Sequence, residues 1–327
     1  MTRTLQYAGL RYFDRALDRL DEQDSTTDLR IDYVDFSEAL DLFRRQAQGA
    51  EFESSEMSLA TFIILTSRPD CEFVGIPVFT SRSFRHNCLY VNSDSGISGP
   101  ADLRGARVGV PEYQMTAAVW VRGFLSDDYG VTPGEMDWYT GGLEQPGYRA
   151  RYGVDLPADV RLSRIPEETA LVPMLARGDL DALVSVLPPS VAEPTVRRLF
   201  PDSGPVERDY YRRTRIFPIM HLVVLRRDVY EKDRTLAADL ATAFAEAKEI
   251  GRRRLRRLDS LAVELPWLNE ALAEVDELFA GDAFPYGVEA NLETLRAATS
   301  YCYEQGLSSR RVEPEELFAP EAVRVLG

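Results

Sequence analysis

Histidine and cysteine are scarce in this chain, and lysine is nearly missing. With only two histidines, His86 and His221, a histidine-rich metal site is excluded. The three cysteines, Cys71, Cys88 and Cys302, lack metal-type spacing and are too few for a disulfide framework. Of 38 basic residues only Lys232 and Lys248 are lysine. Both fall in or beside an expected helix near the C-terminus, which makes Schiff-base chemistry unattractive. The bias toward arginine is compositional, so arginine is not read as functional from abundance alone. A net charge of −15 disfavours a nucleic-acid partner, since phosphate binding needs a basic face. No apolar run approaches the ~20 residues of a membrane span. The opening MTRTLQYAGLRYFD has no charged n-region followed by an apolar stretch. No signal peptide is therefore expected, and the protein is expected to be cytoplasmic. Also missing are the GxxxxGK[ST] phosphate loop, the GxGxxG dinucleotide fingerprint and the G-x-S-x-G nucleophile elbow.

What is present is an ordinary globular composition, 45% apolar over 327 residues, enough for one large core or two modest ones. Residues 3–7 read as a strand and 11–22 as a helix, with Gly9 between them. A strand at 29–36, a helix at 37–47, an apolar helix at 57–66 and strands at 72–79 and 86–92 follow. The loop SDSGISGPADLRG, rich in Ser, Gly and Pro, then reads as a connection between units. Beyond it lie strands at 107–111, 160–165 and 181–188, with helices at 115–126 and 167–177. IFPIMHLVVLRRDVY (216–230) is strongly β, and the tail is helical at 232–258, 267–280, 288–306 and 313–319. The arginine run 252–257 lies within a helix and reads as a solvated face.

This punctuation predicts an α/β protein with mixed sheets in two lobes. Lobe I is expected to comprise 1–92 plus 215–327 and lobe II 93–214, joined by two hinge crossings. A cleft at the strand ends is where such sheets bind ligands.

Arg85-His86 stands at a sharp polar turn between strand-like segments. Arg85 suits a bidentate carboxylate clamp, and His86 a proton transfer near neutral pH. The alternative is a surface arginine and a hydrogen-bonded histidine. PEYQMTAAVW puts Tyr113, Gln114 and Thr116 at a helix N-terminus, where orphan N–H groups and the dipole favour an anion. Capping alone is the bland reading. His221 sits in an apolar strand, where a satisfied core histidine and a cleft-facing one are equally compatible. EFESSEMS places Ser54, Ser55 and Glu56 before the 57–66 helix, either as a cap with an acidic first turn or as ligand contacts with Glu56 as a proton carrier. Tyr7 and Arg11 flank the first loop as cleft walls.

DLRGARVGVPEYQMTAAVW (102–120) and PEETALVPMLARGDLDALVSV (166–186) resemble the second lobe of type 2 periplasmic-binding-protein folds. SFRHNCLYVN (83–92), VGVPEYQMTAAVWVRGFLSDDYGV (108–131) and RIFPIMHLVVLRRDVY (215–230) are similar to one branch of that fold, the 4,5-dihydroxyphthalate decarboxylase family. The resemblance implies a carboxy-lyase acting on a hydroxylated aromatic dicarboxylate. Each carboxylate of 4,5-dihydroxyphthalate is para to a hydroxyl. Protonation of the ring carbon that bears the departing carboxylate then allows CO2 to leave and gives protocatechuate. Such chemistry needs a proton donor (His86 or His221) and a carboxylate anchor (Arg85 with the Thr116 helix terminus). It needs no organic cofactor in principle. A divalent metal stays compatible if Glu56, His86 and His221 converge. A non-catalytic binding or sensor protein, or a dehydratase of cyclic acids, are the alternatives on the same fold. The tail helices either cover the first lobe or form a dimer face, so a homo-oligomer is compatible with the sequence.

Overall fold

The computed structural model describes residues 3–21, 26–147, 156–189, 194–257, 259 and 262–327. The ends of two expected helices, at residues 22 and 258, lie outside the described residues. Two α/β units emerge. The first comprises Met1–Arg82, Ile219–Leu295 and Glu313–Gly327, and the second Ser83–Pro218 and Arg296–Val312.

In the first unit the chain runs β1 (Arg3–Gly9), β2 (Leu29–Asp35), α1 (Ala39–Gly49), β3 (Ser54–Ser58), α2 (Leu59–Thr66) and β4 (Phe73–Arg82). It continues in the second unit with β5 (Leu89–Asn92), β6 (Arg107–Val110), α3 (Thr116–Tyr129), β7 (Asp137–Thr140), β8 (Arg161–Arg164), α4 (Leu171–Arg177), β9 (Ala182–Val184), β10 (Val196–Arg198) and α5 (Ser203–Thr214). After its return come β11 (Ile219–Arg226), α6 (Arg227–Lys232), α7 (Thr235–Leu255), α8 (Leu268–Phe279), α9 (Leu292–Glu304) and α10 (Pro320–Leu326).

The first sheet has strand order β2-β1-β3-β11-β4. β1 is parallel to β2 and β3, whereas β11 is antiparallel to β3 and β4. The second sheet has order β10-β5-β9-β6-β7-β8. Its β9, β6, β7 and β8 run parallel, and β5 is antiparallel to its neighbours. Both sheets are therefore mixed, as expected from the strand and helix punctuation.

Several expectations need correction. The boundary expected after residue 92 falls at Arg82/Ser83, because β5 pairs with β9 in the second sheet. The C-terminal tail does not stay with the first unit, since Arg296–Val312 belongs to the second. There Trp120 meets Tyr301 edge-on at 5.6 Å and Gln305 bonds to α3, so the chain crosses four times rather than twice. The described part of the helix expected at 11–22 holds no α-helix but two 3-10 turns, Phe13–Arg15 and Leu17–Arg19, broken by Ala16 in the left-handed region (φ 51°). Ser54–Ser58 is a strand, and the apolar helix starts only at Leu59. The β run ends at Arg226, where α6 begins.

Apolar strands pack against helices within each unit. In the first, Leu5, Ile31, Ile76, Val78 and Val223 meet Leu240 and Phe244 of α7. Close approach here requires a glycine. A Cβ at Gly251 of α7 would lie 2.4 Å from the Arg15 Cα and 2.6 Å from the Asp14 carbonyl oxygen. Helix propensity alone favours alanine by about 1 kcal/mol, but a clash with fixed backbone costs up to about 3 kcal/mol. Gly251→Ala is therefore expected to lose about 2 kcal/mol net, read as a lower urea midpoint at unchanged slope.

Candidate active site

The parallel strands β1 and β3 end on one edge of the first sheet, and antiparallel β11 starts there. The register pairs His221 with Ser58, and Val223 with Glu56. His221 and Glu56 thus sit on adjacent strands at the edge where α/β sheets bind ligands. Glu56 is fully buried. Its Oε1 accepts from the Tyr12 hydroxyl and pairs with His221 Nδ1, both at 2.6 Å, and its Oε2 accepts from the Leu10 amide at 3.2 Å. Burial works to raise the Glu56 carboxyl, and the bonds from His221, Tyr12 and Leu10 outweigh it, so the group lies below the ordinary carboxylate value. An ionised carboxylate only accepts, which places the His221 proton on Nδ1 and leaves Nε2 for other chemistry. The His221 side chain keeps 19% of its surface, whereas Glu56 keeps none. Phe43 meets the imidazole edge-on at 4.7 Å and limits its rotation.

The other residues singled out in this unit have different fates. Tyr7 is buried, edge-on to Tyr33 at 5.4 Å and Phe244 at 5.1 Å, and burial pushes its phenol up. It is a core ring rather than an exposed wall. Ser54 donates to the Val224 carbonyl at 2.8 Å, which ties β3 to β11. Ser55 Oγ is buried with no hydrogen-bond partner. Arg11 lies over the Tyr33 ring at 4.5 Å, with Nε 3.2 Å from Asp35. Tyr12, which falls within the helix expected at 11–22, instead completes the Glu56 cluster. The available signal was Gly9, which ends β1 just before this loop.

In the second unit, Arg85 directs Nη1 at the Cys88 sulfur, 3.7 Å away. His86 is 1% exposed, stacked on Phe124 at 4.1 Å and edge-on to Phe200 and Tyr210. Neither ring nitrogen has a hydrogen-bond partner. Burial lowers its pKa to about 4, against a partial offset from Asp128. His86 is thus a neutral ring in an aromatic box at pH 7. Thr116 opens α3, and Tyr113 and Gln114 occupy the turn before it; all three are buried. Met115 occupies the N-cap without a side-chain cap bond. Among the described residues no three His, Cys, Asp or Glu side chains are grouped to hold a metal.

Arg122 was not singled out from sequence. It is fully buried on α3, with Nη2 donating to the Tyr113 carbonyl at 2.7 Å and Nε to Gln305 Oε1 at 2.8 Å. Its guanidinium carbon lies 3.8 Å from the centre of the Tyr113 ring, and burial lowers its pKa. A single charge inside the apolar run AAVWVRGFL was the signal that could have found it.

The sheets and their strand orders define a periplasmic-binding-protein-like α/β fold. Solved structures agree. The chain is 13% identical to the periplasmic aliphatic sulphonate binding protein SsuA from Escherichia coli, over 99% of this chain and 100% of that one, with a TM-score of 0.53. The alkanesulfonate-binding protein SsuA from Xanthomonas axonopodis pv. citri, bound to MOPS, is 14% identical over 97% of each chain, with a TM-score of 0.51. No family profile matches the chain. Relatives at higher identity narrow the assignment. A 4,5-dihydroxyphthalate decarboxylase of Comamonas testosteroni is 35% identical over 303 residues, covering 90% of this chain and 92% of that protein. One of Pseudomonas putida is 38% identical over 192 residues, covering 57% and 74%. The chain belongs to the 4,5-dihydroxyphthalate decarboxylase family. Among the described residues no helix is long and apolar enough to cross a membrane.

Proposed function

We propose that this protein is a carboxy-lyase that converts 4,5-dihydroxyphthalate to protocatechuate and CO2, with His221 as the proton donor. The observation that carries this reading is the His221–Glu56–Tyr12 cluster at the ligand-binding edge of the first sheet. The named activity of two relatives supports the substrate. The proton on Nε2 of the imidazolium passes to the ring carbon that bears the departing carboxylate. The para hydroxyl stabilises the cationic ring by donating its oxygen lone pair into it and keeps its proton throughout. The bond to the carboxylate then breaks, its electrons restore the aromatic ring, and CO2 leaves. One proton enters and one CO2 departs, and His221 is reprotonated from solvent. Buried Glu56 holds Nδ1 and balances the imidazolium charge without moving a proton itself. Within the second unit, the turn before α3, with Gln114 and Thr116, suits recognition of a carboxylate through backbone N–H groups, and Arg85 of the same unit suits the same anion. His86, enclosed by three aromatic rings and with neither ring nitrogen hydrogen-bonded, suits packing better than proton transfer.

The test is turnover in D2O. The expected result is CO2 together with protocatechuate carrying one deuterium on the ring carbon that lost its carboxylate. Binding of the unchanged acid without release of CO2, with and without added divalent metal, would instead favour a non-catalytic binding protein.

A further inference from the structure

The turn that opens α3 is held from inside its own unit. β6 ends at Val110, and α3 starts at Thr116. Two side chains tie the five residues between them. Thr140, the last residue of β7, donates to the Pro111 carbonyl at 2.8 Å. Arg122 reaches back along α3, the direction helical side chains take, and donates Nη2 to the Tyr113 carbonyl at 2.7 Å.

Arg122 is itself held on three sides. Its Nε donates to Gln305 Oε1 at 2.8 Å, and the Gln305 amide donates to the Val119 carbonyl at 3.0 Å, which fixes the orientation of Gln305. The guanidinium lies 3.8 Å over Tyr113 and 5.4 Å from the centre of the Trp138 ring. Among the described residues these contacts leave the charge without a counterion. Tyr113 and Cys302 are the groups that favour its charged form, and neither is a carboxylate. Nη1 of Arg122 and the hydroxyl of Tyr113 are both buried and have no hydrogen-bond partner. A buried cation is ordinarily paired. Here an unpaired one is fixed directly to the turn whose N–H groups start a helix of 14 residues.

We propose that Arg122 is a positioning residue for carboxylate recognition at the Pro111–Met115 turn. It sets the turn through the Tyr113 carbonyl and supplies positive charge from within the core. The helix dipole and the guanidinium then act on an anion with the same sign. This rests on the reading that the protein binds an aromatic dicarboxylate.

The test compares the full-length wild type with Arg122→Met and Arg122→Lys. Calorimetry measures the Kd for phthalate, a dianion that lacks the reacting hydroxyls, and for the neutral dimethyl ester of 4,5-dihydroxyphthalate. Steady-state CO2 release gives KM and kcat. Arg122→Met is expected to weaken phthalate binding about tenfold or more and to raise KM in parallel. The ester Kd and kcat should stay within about threefold of wild type. Arg122→Lys, which keeps the charge, should recover most of the phthalate affinity. Unchanged phthalate binding by a folded Arg122→Met protein overturns the proposal. So does equal loss of both ligands without rescue by lysine, since that marks a scaffold role only. If Arg122→Met does not fold, Gln305→Met, which frees Nε alone, is read by the same ratio. It is expected to weaken phthalate binding about threefold, and no change overturns the proposal. A wild type that binds phthalate but releases no CO2 refutes the reaction and leaves the role of Arg122 to the binding data. A wild type that binds no phthalate overturns the recognition itself.

Discussion

Replacing His221 by alanine is expected to slow CO2 release from 4,5-dihydroxyphthalate by about 10²–10⁴-fold, the usual contribution of a positioned general acid. That range corresponds to about 3–5 kcal/mol of barrier. The loss should fall mainly on kcat, because His221 acts on the ring carbon during proton transfer and anchors no carboxylate. Glu56→Gln separates the donor from its support. Glutamine keeps the shape of the side chain but not the negative charge that holds the Nδ1 proton, so turnover should fall even though His221 remains. Tyr12→Phe removes only one of the donors to Glu56 and leaves His221 Nδ1 and the Leu10 amide in place, so its effect should be smaller than either. Acid loss of activity gives an independent check. The Glu56 carboxyl lies below its ordinary value, so it remains ionised as the pH falls to the usual carboxylate range and supports His221 there. Near-wild-type CO2 release by a folded His221→Ala protein would place the donor elsewhere.

The parts of this site were legible in sequence, but their partnership was not. His221 and Glu56 both stood out as titratable groups in apolar or structured segments. Their contact spans 165 positions, and spacing along the chain carries no information about it. Glu56 was also hidden by local chemistry. SSEMS reads as a polar turn before an apolar helix, yet it is the middle strand of the first sheet and is buried throughout. This polar strand is buried with its carboxylate and one hydroxyl well partnered, since Ser54 bonds to Val224 and Glu56 collects three donors, while Ser55 Oγ stays unpaired. Local propensity points away from β structure at the strand that carries Glu56 inside the sheet. The fold was easier, because apolar strands such as RVGV and IMHLVVLR declare themselves. The crossing at Arg296–Val312 was hidden for another reason. Helical periodicity shows that α9 is amphipathic, but not which unit takes its apolar face.

His86→Phe is expected to remove an acid-dependent loss of stability worth roughly 3 kcal/mol. Burial among Phe124, Phe200 and Tyr210 holds the folded-state pKa of His86 at about 4, while the unfolded chain titrates near the ordinary 6.5. Above pH 6.5 neither state holds the proton, and the group makes no pH-dependent contribution. As the pH falls from 6.5 toward 4, the unfolded chain takes up a proton that the folded ring refuses, so stability declines. Below about 4 the folded state is protonated as well, and the loss levels off. Phenylalanine has nothing to protonate and keeps the stack on Phe124. It also removes two buried ring nitrogens that have no partner. Each such group costs about 1–3 kcal/mol, so the variant should gain stability even at pH 7. Urea unfolding of both proteins from pH 7 to 4 measures the difference and cancels the carboxylates they share. Parallel loss in the two proteins would show that His86 is not held neutral by its surroundings. The same variant tests the assignment of the proton donor. Retained CO2 release beside a flattened stability profile leaves His86 as packing. Lost turnover in a stable, folded His86→Phe protein would make it a reacting group and displace His221.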